Sequence, residues 1–202
     1  MAQFPTRGIS QFKSRLSGGG ARPNLFEVAV SFPDAITNAI DFQGVGANWS
    51  DDTQSRFSFL CKAAALPASN VAPIDVPFRG RILKVAGDRT FDTWTVTVIN
   101  DEDFTIRRAF EAWMQKVAQY GDHSGISNPA TYMGTATVYQ LGRSGSVKQG
   151  DTPNNANVLA QYKFVDIFPT NVSQIDLSYD TSDTIEEFTV EFQVNYWYPI
   201  SG

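Results

Sequence analysis

The run that closes the chain leaves its fold little freedom. Phe188, Val190, Phe192, Val194, Tyr196 and Tyr198 alternate with Glu187, Thr189, Glu191, Gln193, Asn195 and Trp197. A period of two with apolar and polar partners describes a β-strand that has one face in a core and the other in water. Eleven such residues would span ~37 Å, about twice the usual strand. A strand of that length needs neighbours, and the chain offers them. Leu25 to Phe32 places Phe26, Val28, Val30 and Phe32 at period two, and Phe57, Phe59 and Cys61 alternate with Ser58 and Leu60 in a second strand. Arg81 to Ala86 and a Thr-alternating strand through Trp94, Val96 and Val98 read as a hairpin turning at Gly87-Asp88. Thr135 to Leu141, Leu159 to Phe168 and Gln174 to Tyr179 bring the count to seven or eight.

One segment has helical spacing. Ile106, Phe110, Trp113, Val117 and Tyr120 recur at steps of four and three, Asn100-Asp101-Glu102-Asp103 offers a cap and acids, and Gly121 offers a stop. The helix is expected over about 101–120, with its aromatic stripe docked on a sheet. Residues 63–78 carry Pro67, Pro73 and Pro77, which forbid ladder hydrogen bonds, so an extended loop of unusual length is expected there. Polar, Gly-containing stretches near 33–54 and 142–158 read as surface excursions. No repeat and no linker divides the chain. The predicted fold is mainly β, a single-domain β-sandwich or barrel over 22–202 with one flanking helix, preceded by an arm over 1–21. At 202 residues it buries enough surface to fold without disulfides or a structural metal.

Catalytic chemistry finds few footholds. The lone Cys61 and lone His123 cannot form a zinc or iron–sulfur ligand set. Cys61 is expected inside the core, and His123 in an exposed GDHSG loop. Gly142-Arg143-Ser144-Gly145 lacks the spacing of a nucleophile elbow, and Gly44-Val45-Gly46 lacks the third glycine and the βαβ setting of a dinucleotide site. Glu187 and Glu191 would stand ~13 Å apart on one strand face, beyond the ~5 to 9.5 Å of a glycosidase pair. No catalytic residue, cofactor or metal is expected, and no run of eighteen apolar residues suggests a membrane span.

Charge is the second informative property. The net −5 hides a division: residues 1–22 hold Arg7, Lys13, Arg15 and Arg22 and no acid, whereas residues 164–202 hold seven acids and no base. The basic start could be a transit peptide, and Ile9, Phe12 and Leu16 fit one face of a short helix. The hinge-like Gly18-Gly19-Gly20 favours a flexible arm. A basic arm, an acidic terminus and a surplus of pairing edge suit a subunit that joins copies of itself head to tail. A monomeric ligand-binding barrel, motivated by 26 aromatic residues, is the competing class.

Several blocks taken in order are similar to one family. Ala21-Arg22-Pro23-Asn24-Leu25-Phe26, Phe59 to Ala63, Ala65-Leu66-Pro67-Ala68, Val85 to Asp92 continuing through Trp94 to Val98 and Asn100-Asp101, Pro169-Thr170-Asn171-Val172 and Tyr196-Trp197 resemble the tail tube proteins of T4-like contractile-tailed phages. The tubes of type VI secretion and pyocins share that plan. The resemblance implies a virion protein that forms hexameric rings stacked into a tube, inside a sheath and between a baseplate and a tail terminator. The lumen would hold a tape measure protein before it conducts DNA. A DNA-free injection particle is the nearer alternative. The same resemblance places an inter-ring loop at Leu66, Pro67, Ser69, Asn70, Val71, Pro73, Ile74 and Asp75. Glu187 and Glu191 become candidates for the lumen, because a conduit for DNA needs a wall that does not bind phosphates. The arm, with Arg7, Lys13, Arg15 and Arg22, is expected to order on assembly.

Overall fold

A computed structural model describes residues 8–16, 20–33, 51–122, 124–143, 158–180 and 183–200. Among these residues the elements are α1 (Ile9–Arg15), β1 (Phe26–Ser31), α2 (Asp51–Leu60), β2 (Cys61–Ala64), β3 (Ser69–Phe78), β4 (Arg81–Phe91), β5 (Trp94–Ile99), α3 (Thr105–Val117), α4 (Pro129–Tyr132), β6 (Gly134–Leu141), β7 (Val158–Val172) and β8 (Glu187–Ile200). Six strands form an antiparallel sheet in the order β1-β6-β7-β8-β5-β2, which curls into a nearly closed barrel. The remaining two, β3 and β4, form a separate ribbon. The mainly-β barrel expected from the alternation is the fold observed.

Aromatic side chains hold it together. Trp94 of β5 stacks on Phe164 of β7 at 4.6 Å between centroids and packs at 5.2 Å against Phe192 of β8, so one cluster ties three strands. From α3, Phe110 and Trp113 meet Phe192 at 5.7 and 6.3 Å, and Phe32 beyond β1 lies 4.4 Å from Trp113. All five residues from Trp94 to Trp113 named here are fully buried. The Trp113 indole N–H donates to the Tyr132 carbonyl at 2.8 Å, which fixes α4 against the core.

The helix is shorter than its sequence suggests. Asn100 does not cap it: its backbone N–H and its side-chain amide both bind Glu186, at 2.9 and 3.0 Å, ahead of β8. Phe104 then takes a left-handed φ of 53°, and α3 starts at Thr105. At the other end the chain folds back, with Ile126 N–H on the Lys116 carbonyl, so the helix closes before Tyr120 and Gly121. Tyr120 is exposed, and the core stripe runs from Ile106 to Trp113 with Val117 at its margin.

Other expectations are corrected. Residues 51–60 are helical, and only Cys61–Ala64 is strand. Thr53, Phe57 and Cys61 are buried at a helical step of four while Phe59 is 77% exposed, so the apparent alternation in this short window is accidental. Cys61 does point inward, as expected. The Trp94 strand pairs with β8 and β2, not with β4. The true turn is Arg79-Gly80, with φ of 45° and 80°, the doubly positive geometry that tight hairpins favour. Gly87 lies inside β4, where a Cβ would come within 2.5 Å of the Ala72 carbonyl oxygen. Residues 69–78 are therefore strand and not loop. Pro73 and Pro77 stand four apart, so their missing N–H groups fall on the same edge, the one β4 leaves unpaired. Gln174 to Tyr179 form no strand.

The long last strand is real but changes phase. Phe188, Val190, Phe192 and Val194 are buried, whereas Tyr196 and Tyr198 are exposed and Trp197 turns inward to Phe91 and Tyr162. On the partner strand, buried Phe164 and Ile167 are separated by an odd step around Asp166, whose φ is 55°. Both strands flip together at this irregularity. Segments 34–50 and 144–157, which hold most of the expected insertions, lie outside the described residues, as do the Gly18-Gly19 part of the hinge and His123. β6 and β7 pair as a hairpin across 144–157.

Because Phe192 touches Trp94, Phe110 and Trp113 at once, Phe192→Ala should lower unfolding stability by about 3–5 kcal/mol, measured by urea denaturation.

Candidate functional site

The barrel interior is occupied by an aromatic and aliphatic cluster. Among the described residues no group of three or more His, Cys, Asp or Glu is placed to hold a metal. Cys61 is shielded: burial pushes its thiol up to about 12, and its S–H donates to the Ala63 carbonyl at 3.7 Å. What the molecule presents is surface, of two contrasting kinds.

The first is the β3–β4 ribbon. Ile74 opposes Val85 and Val76 opposes Leu83, and cross-strand partners share a face, so these four side chains make one apolar strip extended by Phe78. All five are exposed. The opposite face carries the Asp75–Lys84 ion pair at 2.7 Å between Pro73/Ala86 and Pro77/Ile82. At its base the ribbon is anchored by Phe91 edge-on to Trp197 at 6.1 Å and by the Asn70 amide on the Asp92 carboxylate at 3.2 Å. Of the residues expected in an inter-ring loop, Ser69, Asn70, Val71, Pro73, Ile74 and Asp75 lie in β3, while Leu66 is exposed and Pro67 buried just before it. Sequence reasoning missed the β4 half of the strip. The signal was present as apolar alternation on both sides of Arg79-Gly80.

The second surface is the barrel wall opposite the core. Thr95 pairs with Glu191 and Thr97 with Thr189, and Gln193 and Glu187 continue the same face of β8. On β6 and β7, Thr137 and Lys163 are its counterparts, and exposed Tyr196 and Tyr198 stack at 6.3 Å beside them. Glu187 accepts a hydrogen bond from Lys62, and the Glu191 carbonyl accepts one from Thr170 at 3.1 Å. Glu187 and Glu191 thus share a polar, threonine-rich wall. The basic residues expected in the arm lie elsewhere: Lys13 and Arg15 are exposed on α1, and Arg22 is exposed with its carbonyl held by the Gln140 amide at 2.7 Å. Arg7 lies outside the described residues.

The sequence that builds these surfaces matches a known family. The phage tail tube protein family model matches residues 21–199. The chain belongs to that family. It is 36% identical over 181 residues to the tail tube protein gp19 of Enterobacteria phage T4, covering 90% of this chain and 93% of the relative. The tail tube protein of Serratia phage KSP90 is 24% identical over 187 residues, covering 92% and 93%. Among solved structures, a chain of the sheath–tube complex of the extracellular contractile injection system PVC superposes with a TM-score of 0.56 at 12% identity, covering 96% of this chain and 99% of that one. A chain of the anti-feeding prophage tube-terminating cap gives 0.57 at 12% identity, covering 91% and 92%. These last two show a shared fold. The protein is a tail tube protein of contractile phage tails and a component of the virion tail.

The raised Cys61 pKa has a pH consequence. The folded state holds the thiol proton more tightly than the unfolded state does, so this contribution to stability is complete below pH ~8.5 and is lost as pH rises toward 12. Thermal melts between pH 8 and 11 should therefore fall more steeply for the native protein than for Cys61→Ala.

Proposed function

We propose that this tail tube protein assembles into hexameric rings that stack into the inner conduit of the tail, with the polar wall of the barrel facing the lumen and the β3–β4 ribbon reaching the next ring. The observation that supports the ribbon's role is its apolar strip. Five exposed apolar side chains on one face of a two-stranded ribbon are a surface that monomers avoid and interfaces use. The doubly hydrogen-bonded, proline-edged ribbon also arrives ordered, which lowers the entropy cost of docking.

The lumen assignment follows from electrostatics. DNA carries one charge per ~1.7 Å of axis, so a wall studded with Lys and Arg would hold it through many phosphate contacts. The threonine-rich wall offers Lys163 and a Lys62 already engaged by Glu187, with Glu191 adding negative charge. Such a wall lets DNA slide. The protein's role is structural and calls for no catalytic step. Its partners in this reading are a contractile sheath, a baseplate, a terminator cap and, before DNA, a tape measure protein in the lumen. Complexes of sheath with tube, a baseplate and a tube-terminating cap are the settings of the solved structures that share this fold. The arm over 1–21 orders on assembly.

Electron microscopy of the purified chain should show rings and hollow rods. A uniform monomer at high concentration would contradict the proposal. Ile74→Asp combined with Val76→Asp should leave a folded subunit, judged by circular dichroism, that yields rings but no rods; rods of normal length would remove the ribbon from the inter-ring contact.

A further inference from the structure

The connection between β7 and β8 carries an exposed apolar cluster. Leu177 is 81% exposed, Ile185 72%, and Tyr179 is fully exposed. Together with Ile175 they line a pocket of about 580 Å³ that also includes Asp176, Glu186 and Glu187. Asp180 and Asp183 stand exposed beside it, and no base occurs anywhere in residues 164–202. Asp176 receives the Gln174 amide, Glu186 the Asn100 amide and Glu187 the Lys62 ammonium. The pocket therefore brings acidic and apolar side chains together.

Helix α1 is the complement of that site. Every residue of it is exposed, and Ile9, Phe12 and Leu16 lie on one side. At ~100° per residue, Lys13 flanks this stripe on one side and Arg15 on the other. No acid occurs in residues 1–22. Two turns of helix are marginal in water alone, so a helix with this pattern needs a surface to hold it. Within one copy its apolar side is uncovered.

We propose that α1 of one subunit seats in the β7–β8 pocket of a neighbouring subunit, placing Ile9, Phe12 and Leu16 against Leu177, Tyr179 and Ile185 and framing Lys13 and Arg15 with Asp176, Asp180 and Asp183. The contact joins two different patches, so it is heterologous and propagates around a ring or along a stack. This inference rests on the self-assembly proposed above. It adds the arm's receptor on the partner copy. Its ionic part should weaken with salt, while the apolar part persists.

Mixed-copy cross-linking tests it. Copies carrying Phe12→Cys and differently tagged copies carrying Leu177→Cys are assembled together and oxidised; buried Cys61 gives little background. A cross-linked band joining the two tags is expected in tubes, lost with Lys13→Glu plus Arg15→Glu and restored by adding Asp180→Lys plus Asp183→Lys. Tubes without that band would overturn the inference, as would a bond formed only within a single chain carrying both cysteines. Wild-type protein run in parallel separates the two levels, because failure of wild-type tubes to form contradicts the assembly proposal itself. If the cysteine copies fold but do not assemble, restored assembly in the charge-swapped pair, scored by sedimentation, supports the contact, and no restoration opposes it.

Discussion

Trp94, Phe164 and Phe192 come from three adjacent strands, and the packing of Trp94 against the other two rings ties β5, β7 and β8 together. Once these rings are stacked, β5, β7 and β8 have fixed phases, and every odd-numbered residue from Glu187 to Gln193 is committed to the opposite face. Helix α3 then completes the cluster with Phe110 and Trp113. The interior among the described residues is occupied by this aromatic packing. The chain's remaining chemistry lies on surfaces.

Those surfaces divide by character in a way that follows from the core. The wall opposite the aromatic cluster is polar and rich in threonine, whereas the ribbon that leaves the barrel at Phe91 is apolar on one face and carries a single Asp75–Lys84 ion pair between prolines, Ala86 and Ile82 on the other. Trp197 connects the two regions. By turning inward after the phase change at Asp166 it meets Phe91 and Tyr162, so the ribbon's base is held by the same long strand that supplies the wall. A polar wall beside an exposed apolar ribbon suits the tube subunit proposed above.

Much of the architecture was legible because long periodic runs leave little ambiguity. The alternation of β8 from Phe188 to Val194 and the four-three spacing from Ile106 to Trp113 each specify one element and one buried face. Short or interrupted runs were not legible. Phe57 and Cys61 fit a strand and a helix equally, and only the exposure of Phe59 separates the two. The prolines at 73 and 77 argued against a strand, but a two-stranded ribbon has a free edge that tolerates them. Pairing partners were hidden for a different reason. Trp94 joins Phe192 across almost a hundred residues, and Lys62 reaches Glu187 across 125, so neither contact leaves a local trace. Glu187 and Glu191 were nonetheless assigned to one polar face, which the alternation alone determines.

The central claim is that the polar wall encloses the lumen, and a cryo-EM reconstruction of tubes grown from the purified chain tests it most directly. The expected map has six subunits per ring, with Thr95, Thr97, Glu191 and Gln193 on the inner surface. A map that places this face on the outside of the tube would contradict the account.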